Sequence, residues 1–313
     1  MSAAMTFEVG EPGRLDLAVV HYIPALSRTQ VRRLIETGHV AVDGTPALKP
    51  GVTVSPGQQV CVAEPVLPDL DLAAANIPLD ILFEDEETLV LNKQPGLVVH
   101  PRDGVHEPTL INAVRARYPE VAEIDDSNRG GIVHRLDRDT SGVIALAKST
   151  ESQAILKDQW RNRETEKYYL AIVAGRPDLH EGIIDAPLGA DPDDPRRRAV
   201  VDEGQSARSQ YRVIEQYGDE AALCEVRIFT GRTHQIRVHM LAIGHPIIGD
   251  FLYGQASARI GRQALHAWRL RFTLASTGEW RTFEAPIPED LREAIRGLRA
   301  DCQTTHAHEI GPL

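Results

Sequence analysis

The chain has 313 residues, 42% of them hydrophobic, which is enough for a real core and suggests one large domain beside a small one. Its formal net charge of −11 is unusual for a nucleic-acid binder. Cys61, Cys224 and Cys302 stand far apart and form no CxxC pair, which argues against a disulfide framework and a cysteine zinc site and fits a reducing cytosol. No apolar run approaches the ~20 residues that span a bilayer. Met1 to Gly13 lacks the basic start and apolar stretch of a signal peptide. A cytoplasmic protein with no membrane partner is expected.

The charge is unevenly spread. Ala63 to Val90 holds eight acids and no Lys or Arg, supplying −8 of the −11. Arg14 to Val62 carries five bases and three acids, for +2. Local fields govern contact with a polyanion more than the total does. Within residues 14–62, Ser27 is placed to cap a helix reaching about Glu36, with Val31, Leu34 and Ile35 on its apolar face and Gly38 past its end. Asp43-Gly44 marks a tight turn, and short strands flank Pro56-Gly57. The run Arg14-Leu15-Asp16, Ser27-Arg28, Gly38-His39-Val40 and Val42-Asp43-Gly44 resembles the small RNA-binding module of a small-subunit ribosomal protein. The resemblance puts Arg28, Arg32 and Arg33 on an RNA-facing helix.

Residues 63–78 read as an acidic, Pro-containing linker. Residues 79–298 read as one mixed domain and 299–313 as a frayed tail. Strands are expected at Thr88–Asn92, Val143–Ala147, Tyr168–Val173, Gln210–Ile214, Leu223–Phe229, Leu265–Thr273 and Trp280–Phe283. Helices are expected at Leu110–Arg117, Glu151–Asn162, His234–Ile243 and Asp290–Arg299. Strands cluster more than they alternate with helices, which predicts an α+β fold: a mixed, mainly antiparallel sheet with flanking helices.

Four segments carry the chemistry. The first, Asn92 to Pro101, is a shaped loop in which Lys93 is open to either a phosphate contact or a structural role. The second is His134-Arg135-Leu136-Asp137-Arg138-Asp139-Thr140-Ser141-Gly142, a carboxylate between arginines just ahead of an apolar strand. The third is Glu166-Lys167-Tyr168-Tyr169-Leu170-Ala171. The fourth is Gly231 to Met240, where Thr233 is a candidate N-cap and Arg237 lies one turn inside the helix. His234 and His239, five apart on a helix, point away from each other and have no HExxH or Cys set beside them, so no metal is expected.

The second segment resembles the HRLDxxTSG signature of the RluA-type pseudouridine synthases, which isomerise uridine in structured RNA. Seven fixed residues would match a random position on the order of once in a billion. The resemblance extends from Ile81 to Pro286 and implies Asp137 as the nucleophile, with attack at either the anomeric carbon or ring carbon six. It implies Arg237 as the basic partner of Asp137, which favours the ionised carboxylate. It implies Tyr169 as the aromatic that stacks on the base, from the pattern Lys, any residue, Tyr; neighbouring Tyr168 points to the other face of the strand. Arg135 is implied to fill the RNA stack vacated by the flipped uridine. No redox occurs, so no cofactor is needed. Where relatives carry a Gly-Lys pair this chain has Gly204-Gln205, and Arg196, Arg197 and Arg198 are expected to supply the charge. His245 to Asp250 and Tyr253-Gly254 also fit the family and are read as scaffold.

The expected activity is that of a monomeric RNA pseudouridine synthase, with ribosomal RNA favoured over tRNA. One rival is a non-catalytic RNA-binding or assembly factor on the same fold, against which Asp137, Tyr169 and Arg237 stand. Another is a zinc-dependent base deaminase, against which the missing HxE…PCxxC arrangement stands. A metal-dependent nuclease is the third, which insensitivity to chelator would reject.

Overall fold

The structure, a computed structural model, describes residues 4–24, 26, 28–63, 77–100, 108–124 and 130–306. The chain divides into two compact units, Met1–Asp71 and Leu72–Leu313.

The first unit runs β1 (Met5–Glu8), β2 (Gly13–Arg14), α1 (Leu15–Tyr22), α2 (Arg28–Glu36), β3 (Val40–Val42), β4 (Thr45–Pro46), β5 (Thr53–Val54) and β6 (Gln59–Val62). Four strands form a sheet in the order β1-β6-β3-β4. Helix α2 carries the expected apolar stripe: Val31, Leu34 and Ile35 are buried with Leu15, Val19, Val40, Val54 and Val60. Asp43 and Gly44 both have positive φ, 50° and 76°, as a two-residue hairpin turn demands. The Asp43 carboxylate accepts from the Gln59 backbone N–H and the Gln58 amide, tying that turn to β6. The fold of this unit starts earlier than residue 14, because β1 pairs with β6 along its length. Ser27, the expected helix cap, lies outside the described residues, as does most of the expected linker.

The second unit contains β7 (Ile81–Glu84), β8 (Thr88–Lys93), α3 (Leu110–Arg117), β9 (Ser141–Ala147), α4 (Thr150–Asn162), β10 (Glu166–Ala174), β11 (Glu181–Asp185), β12 (Leu188–Ala190), β13 (Arg198–Val200), β14 (Arg208–Tyr217), β15 (Ala221–Ile228), α5 (Gln235–Ala242), β16 (Leu265–Thr273), β17 (Trp280–Glu284), α6 (Glu289–Asp301) and β18 (Thr304–His306). The main sheet runs β11-β14-β15-β10-β16-β9-β8-β7, with β17 on β16 and β18 on β14. Among the described strands its pairings are antiparallel except β16 with β9. The fold is therefore the expected mainly antiparallel sheet with flanking helices. Strand β10 lies at its centre; Leu170 to Val173 are fully buried, as a strand covered on both faces requires. Among the described residues, no helix is long and apolar enough to cross a membrane.

The parallel contact has a sequence reason. Gly142 has φ +113°, and a Cβ there would lie 2.1 Å from the Ala267 carbonyl oxygen. Only a residue without a side chain lets β9 and β16 meet at this point. Upstream, Gly131 accepts from the Ala147 N–H, and His134 Nε2 accepts from the Ala145 N–H. Residues 131–134 thus lie along β9 through an isolated bridge of Ile132 to Leu146, and the chain reverses through Asp137–Thr140, where the Thr140 N–H donates to the Asp137 carbonyl.

The C-terminal end departs from expectation. Residues 299–306 are not a frayed tail: Arg299 pairs with buried Glu215, and β18 adds a strand to β14. An apolar pattern is faint over three residues, so pairing with an existing edge decides it.

Candidate active site

Asp137 is held at the mouth of the reversal before β9, while α5 approaches from the opposite wall. Helix α5 is fixed by Gln235, not by a Thr233 cap. The Gln235 oxygen accepts from Thr230 Oγ1 and the Arg232 N–H; its amide donates to the Arg208 carbonyl and Ser209 Oγ. His234 is the residue at the helix boundary, with a left-handed φ of 59° and no side-chain cap bond. A side chain with four bonds at the first turn replaces the oxygen that a capping Thr would have offered.

Arg237, one turn in, donates from Nη1 to Asp137 Oδ2 at 3.1 Å. The expected pair is present, and it has a third member. Asp250, fully buried, accepts from Arg237 Nε at 2.6 Å and Nη2 at 2.8 Å, and from the backbone N–H groups of Leu252 and Tyr253. Burial alone would lower the Arg237 guanidinium, but the Asp250 bonds and the charges of both carboxylates hold it above its ordinary value. Its charge is therefore permanent at this site.

Tyr169 projects from β10 into the same cleft. Burial, with the Asp137 charge behind it, pushes its phenol well up, so it stays protonated. Tyr168 faces the other way, between the guanidinium groups of Arg227 and Arg269. Lys167, on the Tyr169 face, is buried at the cleft wall with no hydrogen-bond partner among the described residues, and burial brings it down to about 8. Lys93 settles as structural: 1% exposed, it donates to the carbonyls of Gln94, Leu97 and Arg138 and has no donor left for a phosphate.

Two lobes meet at Asp137. One, about 480 Å³, passes Tyr169, Lys167, Arg161, Arg163, Arg232 and Trp160. The other, about 580 Å³, passes Arg138, Arg196 and Arg198. Arg135, Leu136, Asp137, Thr233, His234 and Arg237 border both. Arg135 is exposed and makes no hydrogen bond or salt bridge among the described residues. The wall is basic despite the acidic chain, which answers the objection raised by the net charge. The three neighbouring arginines separate. Arg196 and Arg198 line the cleft, although Arg196 also pairs with Asp194. Arg197 instead pairs with Asp191 and covers the Tyr253 ring.

In the first unit, Arg32 is exposed on α2. Arg28 is half exposed and donates from Nε and Nη2 to fully buried Asp16. Arg33 lies on α2, but its side chain lies outside the described residues.

The family model described as RNA pseudouridylate synthase matches residues 87–242, and the S4 domain matches residues 13–60. An "Uncharacterized RNA pseudouridine synthase" of Chloroflexus aurantiacus is 44% identical over 91% of this chain and 90% of its own length. The "Ribosomal large subunit pseudouridine synthase D" of Nitrosomonas europaea is 40% identical over 91% of this chain and 84% of its own. The chain belongs to the RNA pseudouridine synthase family. Among solved structures, human RNA pseudouridylate synthase domain containing 1 superposes with a TM-score of 0.55 at 25% identity, covering 72% of this chain and 96% of that one.

Membership makes the chain an enzyme, an isomerase with an RNA partner. Asp250 and Tyr253, scaffold residues by sequence alone, also belong to the site, as does His234. His234 Nε2 lies 4.0 Å from Asp137 Oδ2, and its Nδ1 bonds the Tyr253 hydroxyl at 2.8 Å. Tyr253 also presents its ring to Arg237. The signal available was Asp250, a single acid inside the apolar stretch from Pro246 to Leu252.

Proposed function

We propose that the protein isomerises specific uridines to pseudouridine in large-subunit ribosomal RNA, with Asp137 as nucleophile. The observation that carries this reading is Asp137 set at the junction of two basic lobes, bonded to Arg237 and facing Tyr169. The flipped uridine enters beside Tyr169, and Asp137 attacks its anomeric carbon or ring carbon six. The bond from ribose to N1 breaks, the bond to C5 forms, C5 loses a proton and N1 gains one. The reaction is balanced without cofactor or metal. Arg237 pairs with the carboxylate and aims it. Arg135 occupies the vacated stack, and Arg196 and Arg198 meet phosphates. Arg197 contributes through Tyr253.

Residues 14–62, with Arg28, Arg32 and Arg33, form an added RNA contact joined by the acidic segment 63–78 to the catalytic domain. The target follows the name carried by the Nitrosomonas relative. The enzyme acts as a cytoplasmic monomer. Pseudouridine mapping of total RNA from cells with and without this gene tests the reading. Loss of one or more large-subunit sites is expected. Unchanged RNA together with retained RNA binding would favour the non-catalytic assembly factor.

A further inference from the structure

The Tyr253 hydroxyl has two partners among the described residues. It accepts from the Arg198 backbone N–H at 2.6 Å and meets His234 Nδ1 at 2.8 Å. Of these two partners only His234 Nδ1 can accept the phenolic proton, and the proton is assigned to that bond. That leaves the proton of neutral His234 on Nε2, the nitrogen that faces Asp137 in the cleft. At 4.0 Å this N–H is too far from the carboxylate to be spent on it. Arg237, the other strong donor at this spot, has three of its five N–H groups engaged, Nε and one on Nη2 with Asp250 and one on Nη1 with Asp137. His234 also holds a positive φ, a costly backbone state for a residue other than glycine, of the kind that gathers at functional sites.

We infer that His234 is a catalytic residue whose Nε2–H donates a hydrogen bond to a uracil carbonyl oxygen of the reacting uridine. The inference rests on the nucleophile reading of Asp137. Both routes for that attack place negative charge on the uracil carbonyls. Attack at the anomeric carbon releases a uracil anion; attack at ring carbon six makes an enolate. A fixed N–H aimed at that oxygen is worth more in the transition state than in the ground state. Burial, opposed by Asp137, lowers His234 below its ordinary value, and Arg237 and Arg135 press the same way while Asp250 opposes. The ring therefore acts as a neutral donor and gives up no proton.

Two isosteric variants separate this role from a structural one. His234→Asn can keep the Tyr253 partner and tolerates positive φ, but it has nothing at the Nε2 position. His234→Gln reaches the Nε2 position with an amide N–H and gives up Tyr253. Single-turnover tritium release from uracil C5 is measured at saturating RNA, using a labelled large-subunit RNA transcript on which the wild type acts. The expected result is a loss of about 100-fold for Asn and less than about tenfold for Gln, with RNA affinity unchanged in both. An Asn variant as fast as wild type, or a Gln variant slower than Asn, overturns the assignment. Asp137→Asn runs beside them: if it is active, the nucleophile reading falls; if it is inactive while His234→Asn is fast, only the His234 inference falls.

Discussion

Arg237 spends two of its N–H groups on Asp250 and one on Asp137, so the carboxylate that never meets solvent holds the guanidinium more tightly than the one in the cleft. Asp250 is itself pinned by the N–H groups of Leu252 and Tyr253. The result is a rigid cation with one face left for Asp137, a form of preorganisation in which no side chain must reorient when charge moves.

Asp250→Ala should therefore harm both fold and chemistry. Removing one partner of a buried charged pair costs about 3 kcal/mol or more. The single-turnover rate should fall while RNA affinity holds, because Arg237 is freed but the basic walls remain. Urea unfolding and binding measurements check both parts. Wild-type stability and rate together would show that Arg237 is held by other means.

Asp137→Asn should leave stability and RNA binding nearly intact and abolish tritium release, because an amide is a poor nucleophile. Asp139→Asn, two residues on in the same turn, should retain most activity. Equal losses in the two variants would point to the turn rather than to the Asp137 carboxylate.

Lys167 predicts a pH signature. Its ammonium titrates at about 8 in the folded chain, against 10.5 ordinarily. Between these values the unfolded chain holds a proton that the folded chain has released, so stability contributed at this position rises with pH. The slope reaches at most about 1.4 kcal/mol per pH unit and vanishes below the folded value, where both states are protonated. In Lys167→Met this component is absent. The difference between wild-type and variant unfolding free energies should thus climb from pH 8 to 10.5. Parallel curves would mean that Lys167 keeps its ordinary proton affinity.

Arg32→Ala tests the small module. An exposed arginine that neutralises one phosphate releases about one counterion, so its loss should flatten the log–log salt dependence of RNA binding by about one unit and weaken binding at low salt. Identical affinity and identical slope would remove Arg32 from the RNA surface.

Much of this was legible in local sequence. Helix α3 occupies Leu110–Arg117 as its pattern predicts, and Asp43-Gly44 makes the turn its residues favour. These are short-range effects: capping, turn chemistry and periodicity act within a few residues. The Asp137 motif also displays its chemistry locally, since Gly142 and the reversal before β9 are encoded beside the carboxylate. The tertiary structure alone decided that Lys93 is spent on three carbonyls, that Arg197 covers Tyr253 while Arg196 and Arg198 line the cleft, and that Asp250 anchors Arg237. It also selected Tyr169 over Tyr168 for the cleft, because β10 pairs with β15 and β16 in a register that turns Tyr169 inward. Periodicity reports which side of a segment is buried. Which charges then meet depends on strand register and close approach between distant segments, such as Gly142 against Ala267, and no local pattern carries that information.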